Sequence, residues 1–140
     1  RPGNFVFYVV MQHIISACTL DEIALAVACP VVAKHPERHE IALYGGAVHL
    51  SKDSVILPSG DPSFGLLAEL HDGGWRIIPD ANVHSLSQEH ALVNVPDDLL
   101  QRVHIGDLLL VLPIHSCLTA DLLKNYRTLD GLHLTMGRYA

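Results

Sequence analysis

The sequence predicts a mainly β domain, barrel- or sandwich-like, made of short strands with one or two short helices. Three observations predict it. Short runs rich in β-branched and aromatic residues dominate the chain. Glycine, proline and aspartate punctuate those runs at close intervals. One run, residues 108–112 (LLLVL), is apolar at every position, as a strand covered on both faces must be.

Taken in order, residues 5–12 (FVFYVVMQ) are strand-like. Residues 23–34 (IALAVACPVVAK) form a buried strand, with Pro30 marking a bulge or a change of strand partner. Residues 40–44 lead into Gly45-Gly46, a turn or a point of close approach, and residues 47–50 resume the run. Residues 64–70 and 75–78 flank Asp72-Gly73-Gly74, a hairpin turn. Residues 91–95 make a further strand, closed by Pro96-Asp97-Asp98. Gly106-Asp107 opens the strand at 108–112. The pattern then changes: residues 119–126 (TADLLKNY) suit one short helix with Thr119 as its cap. Thr128-Leu129-Asp130-Gly131 turns the chain toward a last short strand at 132–136.

Composition excludes several function classes. The 140 residues suffice for one compact domain, and 49% are hydrophobic, which favours a packed core over a disordered chain. The net charge of −6, with no basic run interleaved with aromatics, argues against a nucleic-acid surface. No apolar stretch is long enough for a membrane-spanning helix. Arg1 is not an initiator Met, and residues 5–11 lack the flanks of a signal peptide. The abrupt start, Arg1-Pro2-Gly3-Asn4 running straight into apolar residues, suggests a fragment of a longer protein. Three cysteines, Cys18, Cys29 and Cys117, are an odd number for a disulfide framework and point to a reducing, cytoplasmic setting.

Three clusters could carry chemistry. Pro113-Ile114-His115-Ser116-Cys117 places an imidazole and a thiol two residues apart after the buried strand. In extended backbone, residues i and i+2 point to one side, so His115 and Cys117 could converge on one ion. Both are good zinc ligands, but two are too few for a structural zinc; substrate, water or another segment would complete the shell. A small buried cysteine beside a hydrogen-bonded histidine accounts for the same residues without a metal. His84-Ser85-Leu86-Ser87-Gln88-Glu89-His90 offers His84, Glu89 and His90 as ligands or acid–base groups, or simply a loop whose polar residues cap turns. Tyr44-Gly45-Gly46-Ala47-Val48-His49-Leu50-Ser51-Lys52-Asp53 matches no phosphate loop, and Lys52 beside Asp53 suits a solvated turn better than a Schiff-base site.

These three clusters, collinear over nearly the whole chain, resemble the carboxy-terminal domain of D-serine dehydratase-like and D-threonine aldolase-like pyridoxal-phosphate enzymes. The resemblance extends from Arg1-Pro2-Gly3-Asn4-Phe5-Val6-Phe7-Tyr8 to Leu129-Asp130-Gly131. One departure is Ala91, where the family pattern has glycine after Gln-Glu-His. The resemblance implies that residues 1–140 form one domain of a protein whose amino-terminal barrel, similar to alanine racemase, holds pyridoxal phosphate on a lysine. Lys34, Lys52 and Lys124 are then not that lysine. His115 and Cys117 would bind a divalent metal, commonly zinc, facing the cofactor. Aldolase-like members carry aspartate at the position of Cys117, and the softer thiolate favours zinc, so the resemblance leans toward a dehydratase. It implies a D-3-hydroxy amino acid as substrate, a 2-oxo acid and ammonia as products, and a homodimer. The alternatives are retro-aldol cleavage of a D-threonine-like substrate, a domain with a vestigial metal pair, or a non-catalytic docking or dimerisation module.

Overall fold

The structure is a computed structural model that describes residues 3–137; Arg1 and Pro2 of the lead-in lie outside the described residues. In chain order the elements are α1 (Val10–Ile14), β1 (Val27–His35), β2 (Glu40–Tyr44), α2 (Ala47–Leu50), β3 (Val55–Ile56), β4 (Pro62–Ser63), β5 (Gly65–His71), β6 (Gly74–Leu86), β7 (His90–Asn94), α3 (Asp97–Arg102), β8 (Leu108–Pro113), α4 (Ser116–Leu123), β9 (Asn125–Arg127) and β10 (His133–Thr135). Single 3-10 turns occupy Gly3–Val6, Leu20–Glu22 and Pro36–Arg38.

Six strands close into an antiparallel barrel in the order β1-β2-β7-β6-β5-β8, with β8 pairing back to β1. Closure leaves no free edge in this sheet, which removes the usual template for edge-to-edge aggregation. β1 changes partner where Pro30 predicts: its pairing to β8 ends at Pro30–Leu108, its pairing to β2 begins at Val31–Leu43, and a register shift follows between Val31 and Ala33. The hairpin of β5 and β6 turns at Asp72-Gly73, and Gly73 takes a φ of +74°. β6 is bulged opposite Leu66–Ala68, where it carries Pro79 and Asp80, the latter at a φ of +58°.

Alternation sorts the core. Val27, Cys29 and Val31 of β1, Ile41 and Leu43 of β2, Ala91 and Val93 of β7, and Leu109 and Val111 of β8 fill one cluster, together with Leu99, Leu100 and Val103 at α3. The outward residues Leu110 and Leu112 of β8 are equally buried, beneath Val10, Ile23 and Met11. β8 is therefore covered on both faces, as its uninterrupted apolar run requires. Each such leucine contributes about 1.5–3 kcal/mol by leaving water. Ala91, the departure from the family pattern, is fully buried in an ordinary strand opposite Leu86 and Leu43.

Three expected elements differ. Residues 5–12 are not a strand: a 3-10 turn at Gly3–Val6 is followed, past Tyr8 at a φ of +54°, by α1. A closed barrel has no edge to accept another strand, so this apolar segment packs on the outer face of β8 instead. Residues 47–50 are the short helix α2 rather than a continued strand. The predicted helix at 119–126 begins earlier, at Ser116, with His115 at its N-cap. Thr119 is fully buried inside it, its hydroxyl 3.1 Å from the His115 carbonyl and 3.3 Å from the Leu50 carbonyl. The helix stops at Lys124, in left-handed conformation, and Tyr126 joins β9, which pairs with β10 within the predicted last strand.

The register puts α2 and α4 at one end of the barrel and α3 at the other. Tyr44 of β2 faces His90 and Glu40 faces Asn94, so α2 and α3 leave opposite ends. Val27 of β1 faces Val111 of β8, and Val31 faces Leu43, so β8 delivers His115 to the α2 end. There Gly45-Gly46 meets the turn before β7. A Cβ on Gly46 would lie 2.5 Å from the backbone of Glu89 and His90, and one on Gly45 would lie 2.3 Å from Cys29 Sγ. Close approach, not unusual dihedrals, requires these two glycines. Gly46→Ala is expected to destabilise the protein by about 3 kcal/mol, the upper range for overpacking. Chemical denaturation checks it; a loss under about 0.5 kcal/mol, the scale of an ordinary surface change, would show that the contact yields.

Candidate metal site at one barrel end

Two of the sequence clusters interlock to build this end. The amide of Gly45 donates to the Glu89 carbonyl (2.9 Å), that of Ala47 to Ser87 (2.9 Å) and that of Val48 to Gln88 (3.1 Å). The turn at Ser87–Glu89 thus supplies acceptors for the amides that a helix start leaves unpaired. Tyr44 packs edge-on to His49 and His90, with ring centroids 5.2 and 5.8 Å away. The Nδ1 of His49 is buried without a hydrogen-bond partner among the described residues.

After α2 the chain takes an uncommon conformation. Ser51 has φ 69° and ψ −177°, a region almost reserved for glycine and costing a serine about 1–3 kcal/mol. Its amide closes α2 on the Ala47 carbonyl (3.0 Å), and its hydroxyl accepts the amide of Asp53 (3.3 Å). Asp53 Oδ2 then lies 2.7 Å from His115 Nδ1, across 62 residues of sequence. A carboxylate only accepts, so Nδ1 carries the proton and the lone pair of neutral His115 sits on Nε2. Both side chains are partly exposed at this end of the barrel.

Cys117 follows in the first turn of α4 as a partly exposed free thiol. The expected same-side alternation of His115 and Cys117 does not apply, because the pair straddles the junction between extended backbone and helix. His115 is extended (φ −136°, ψ 101°), and Ser116 and Cys117 are helical. The donor set still fits a soft divalent ion: one imidazole with Nε2 available and one thiol two residues on. Among the described residues no group of three or more His, Cys, Asp or Glu side chains gathers as a metal site. A metal here would need ligands from substrate, water or another part of the protein.

The remaining candidates have other surroundings. His84 lies in β6, not in a loop, and its Nε2 is 3.0 Å from Oε2 of Glu40; the other oxygen, Oε1, accepts from Arg38 at 2.9 Å. Burial works to raise the Glu40 carboxyl, but hydrogen bonds from Arg38 and His84 and their charges outweigh it and hold it below the usual range. His84 is thus one arm of an ion cluster that includes an almost fully buried carboxylate. Glu89 is exposed and acts through its backbone; His90 begins β7 and packs against Tyr44. Lys52 is exposed, Lys34 donates to the Val103 carbonyl (2.6 Å), and Lys124 pairs with Asp121. Burial pushes the Cys29 thiol up to about 12, so it is inert at neutral pH. Sequence reasoning overlooked Asp53, treating it only as the neighbour of Lys52, and overlooked Glu40; both act through partners more than 40 residues away.

Comparison with known proteins shows the family of this chain. The family model described as Putative serine dehydratase domain matches residues 24–129. The chain belongs to this family. The match spans all six barrel strands, α2, the Ser87–His90 turn, the whole of α4 and β9. D-serine dehydratase of Dictyostelium discoideum is 30% identical over 135 residues, which are 94% of this chain and 33% of that protein. D-threo-3-hydroxyaspartate dehydratase of Delftia sp. HT23 is 25% identical over 139 residues, 94% of this chain and 36% of the relative. One solved structure of that enzyme, a cysteine-to-alanine mutant in the metal-free form, has a TM-score of 0.80 at 23% identity and shares the fold. An alanine racemase-like protein of Idiomarina loihiensis has a TM-score of 0.81 at 28% identity, over 94% of this chain and 36% of that one. The chain spans about a third of the length of these relatives, so their proteins contain at least one further domain. No described helix is long and apolar enough to cross a membrane.

The ion cluster at Glu40 sets an acid limit on stability. A carboxyl held low in the folded state stabilises the protein above its ordinary pKa, and that contribution disappears as pH falls through the lower folded value. Stability measured by denaturation is expected to fall more steeply for the wild type than for Glu40→Gln below about pH 4.5. Parallel curves would show that Glu40 gains nothing from Arg38 and His84.

Proposed function

We propose that this chain is the metal-bearing, carboxy-terminal part of a pyridoxal-phosphate-dependent dehydratase that converts a D-3-hydroxy amino acid to a 2-oxo acid and ammonia. The observation that carries the proposal is His115, fixed by Asp53 with Nε2 left available, two residues before the free thiol Cys117. Relatives that dehydrate D-serine and D-threo-3-hydroxyaspartate support it. Pyridoxal phosphate, held by another domain of the full protein, would supply the electron sink for α-proton loss, and zinc or a similar ion would supply Lewis acidity at the β-hydroxyl.

The residues of this chain have a narrower task. His115 and Cys117 would hold the ion at the barrel end, and the backbone of α4 would fix their spacing. The thiolate of Cys117 gives two-ligand binding a soft donor suited to zinc. That preference favours dehydration over retro-aldol cleavage, which remains the second reading. Phe5, Val6, Val48, Leu118 and Leu122 are exposed on elements around this end. An apolar rim of this kind suits docking of the amino-terminal barrel or a second subunit of a homodimer. Three free cysteines, Cys18, Cys29 and Cys117, suit a reducing, cytoplasmic location.

Cys117→Ser in the full-length protein tests the proposal. Metal content is expected to fall to background. Release of 2-oxo acid from D-serine or D-threo-3-hydroxyaspartate should fall at least about 100-fold, since Lewis-acid catalysis supplies several kcal/mol. Unchanged metal and activity would overturn it in favour of a vestigial site. The 140-residue chain alone, incubated with pyridoxal phosphate and D-serine, is expected to release no 2-oxo acid above blank; release would locate the cofactor lysine within it.

A further inference from the structure

We infer that Asp53 is a positioning residue that fixes the tautomer and orientation of His115 for metal binding, and that the turn at Ser51 delivers it. The inference rests on the metal reading above. Its first support is geometric: Asp53 Oδ2 and His115 Nδ1 are 2.7 Å apart, the length of a charge-assisted hydrogen bond. A free imidazole can place its proton on either nitrogen and can rotate about its side-chain bonds. The carboxylate removes both freedoms, because it can only accept. Nε2 is then left as the single donor atom, on a ring whose orientation its partner fixes.

The second support is that the backbone is committed to this contact at a cost. Asp53 is two residues beyond Ser51, whose φ of 69° and ψ of −177° are ill suited to any side chain. Strain of this kind persists where the surroundings over-determine it, and here they do. α2 is tied on one side to Ser87 and Gln88 by the amides of Ala47 and Val48. On the other side its Leu50 carbonyl lies 3.3 Å from the Thr119 hydroxyl of α4. Ser51 itself returns its amide to Ala47 and takes the amide of Asp53 on its hydroxyl. The turn that holds the carboxylate and the helix that follows the imidazole are therefore fixed to each other. A purely structural ion pair would need no particular tautomer; a metal ligand does.

The test uses full-length protein labelled with 15N-histidine, with His115→Gln to assign the His115 resonances. In the metal-free wild type His115 is expected as the Nδ1–H tautomer. Asp53→Ala is expected to shift it toward Nε2–H and to weaken zinc binding about 10–100-fold in chelator competition. Asp53→Asn, which keeps an acceptor but loses the charge, should weaken zinc less and guards against a folding defect in the alanine variant. Zinc affinity lost in Cys117→Ser but unchanged in both Asp53 variants would overturn the role of Asp53 while leaving the metal reading intact. Zinc affinity unchanged in Cys117→Ser would overturn the metal reading itself. A wild-type His115 in the Nε2–H form would overturn the positioning role whatever the metal does.

Discussion

The site end of this protein depends on one close approach, the backbone of Gly46 against the backbone of Glu89 and His90. Because no side chain intervenes, the carbonyls of Ser87 and Gln88 reach the amides of Ala47 and Val48 and start α2. A four-residue helix is far too short to be stable alone. It exists because its unpaired amides are met by a neighbouring turn and its Leu50 is buried in the barrel core. From α2 the consequences run outward: Leu50 meets Thr119 of α4, and Ser51 turns Asp53 onto His115. A methyl group at residue 46 would disturb the site without touching any ligand.

The barrel contributes rigidity and the loops at its end contribute chemistry. β8 is buried on both faces, with Leu109 and Val111 inside the barrel and Leu110 and Leu112 covered from outside. His115 and Cys117 follow directly, so a strand packed on both faces leads into the proposed ligands. Two protein ligands leave coordination positions open, which a structural metal would not. That openness agrees with a site completed by ligands from outside this chain; the two dehydratase relatives are about three times its length. The opposite end, closed by α3, carries the salt bridges of Glu69 with Arg76 and Arg102 on its flank and, among the described residues, has no comparable arrangement of imidazole and thiol.

Much of this was legible in the sequence where one local rule dominates. The apolar run of β8 announced two-sided burial, Pro30 marked the partner change in β1, and Asp72-Gly73 marked the hairpin. The failures share a cause: propensity was overruled by what the barrel had already satisfied. Residues 5–12 have strand composition, but the closed sheet offers no edge. Residues 47–50 continue an apolar run, but their amides find the Ser87–Glu89 turn instead of a ladder. Thr119 has the chemistry of a cap, yet it is fully buried and bonds within the helix and across to α2. His84 stood out as a polar residue near other polar residues; its partner Glu40 lies on another strand, 44 residues away, where no sequence pattern connects them. Asp53 was hidden for the same reason, and the only local sign was a serine in a conformation that sequence does not reveal.

In the proposed function, one imidazole and one thiolate of this chain hold the metal. X-ray absorption at the zinc edge of the full-length, zinc-loaded protein tests it most directly. The expected spectrum shows a single sulfur at about 2.3 Å together with nitrogen and oxygen at about 2.0–2.2 Å, with the sulfur lost in Cys117→Ser. A shell of nitrogen and oxygen alone in the wild type, or a sulfur that survives that substitution, would contradict it.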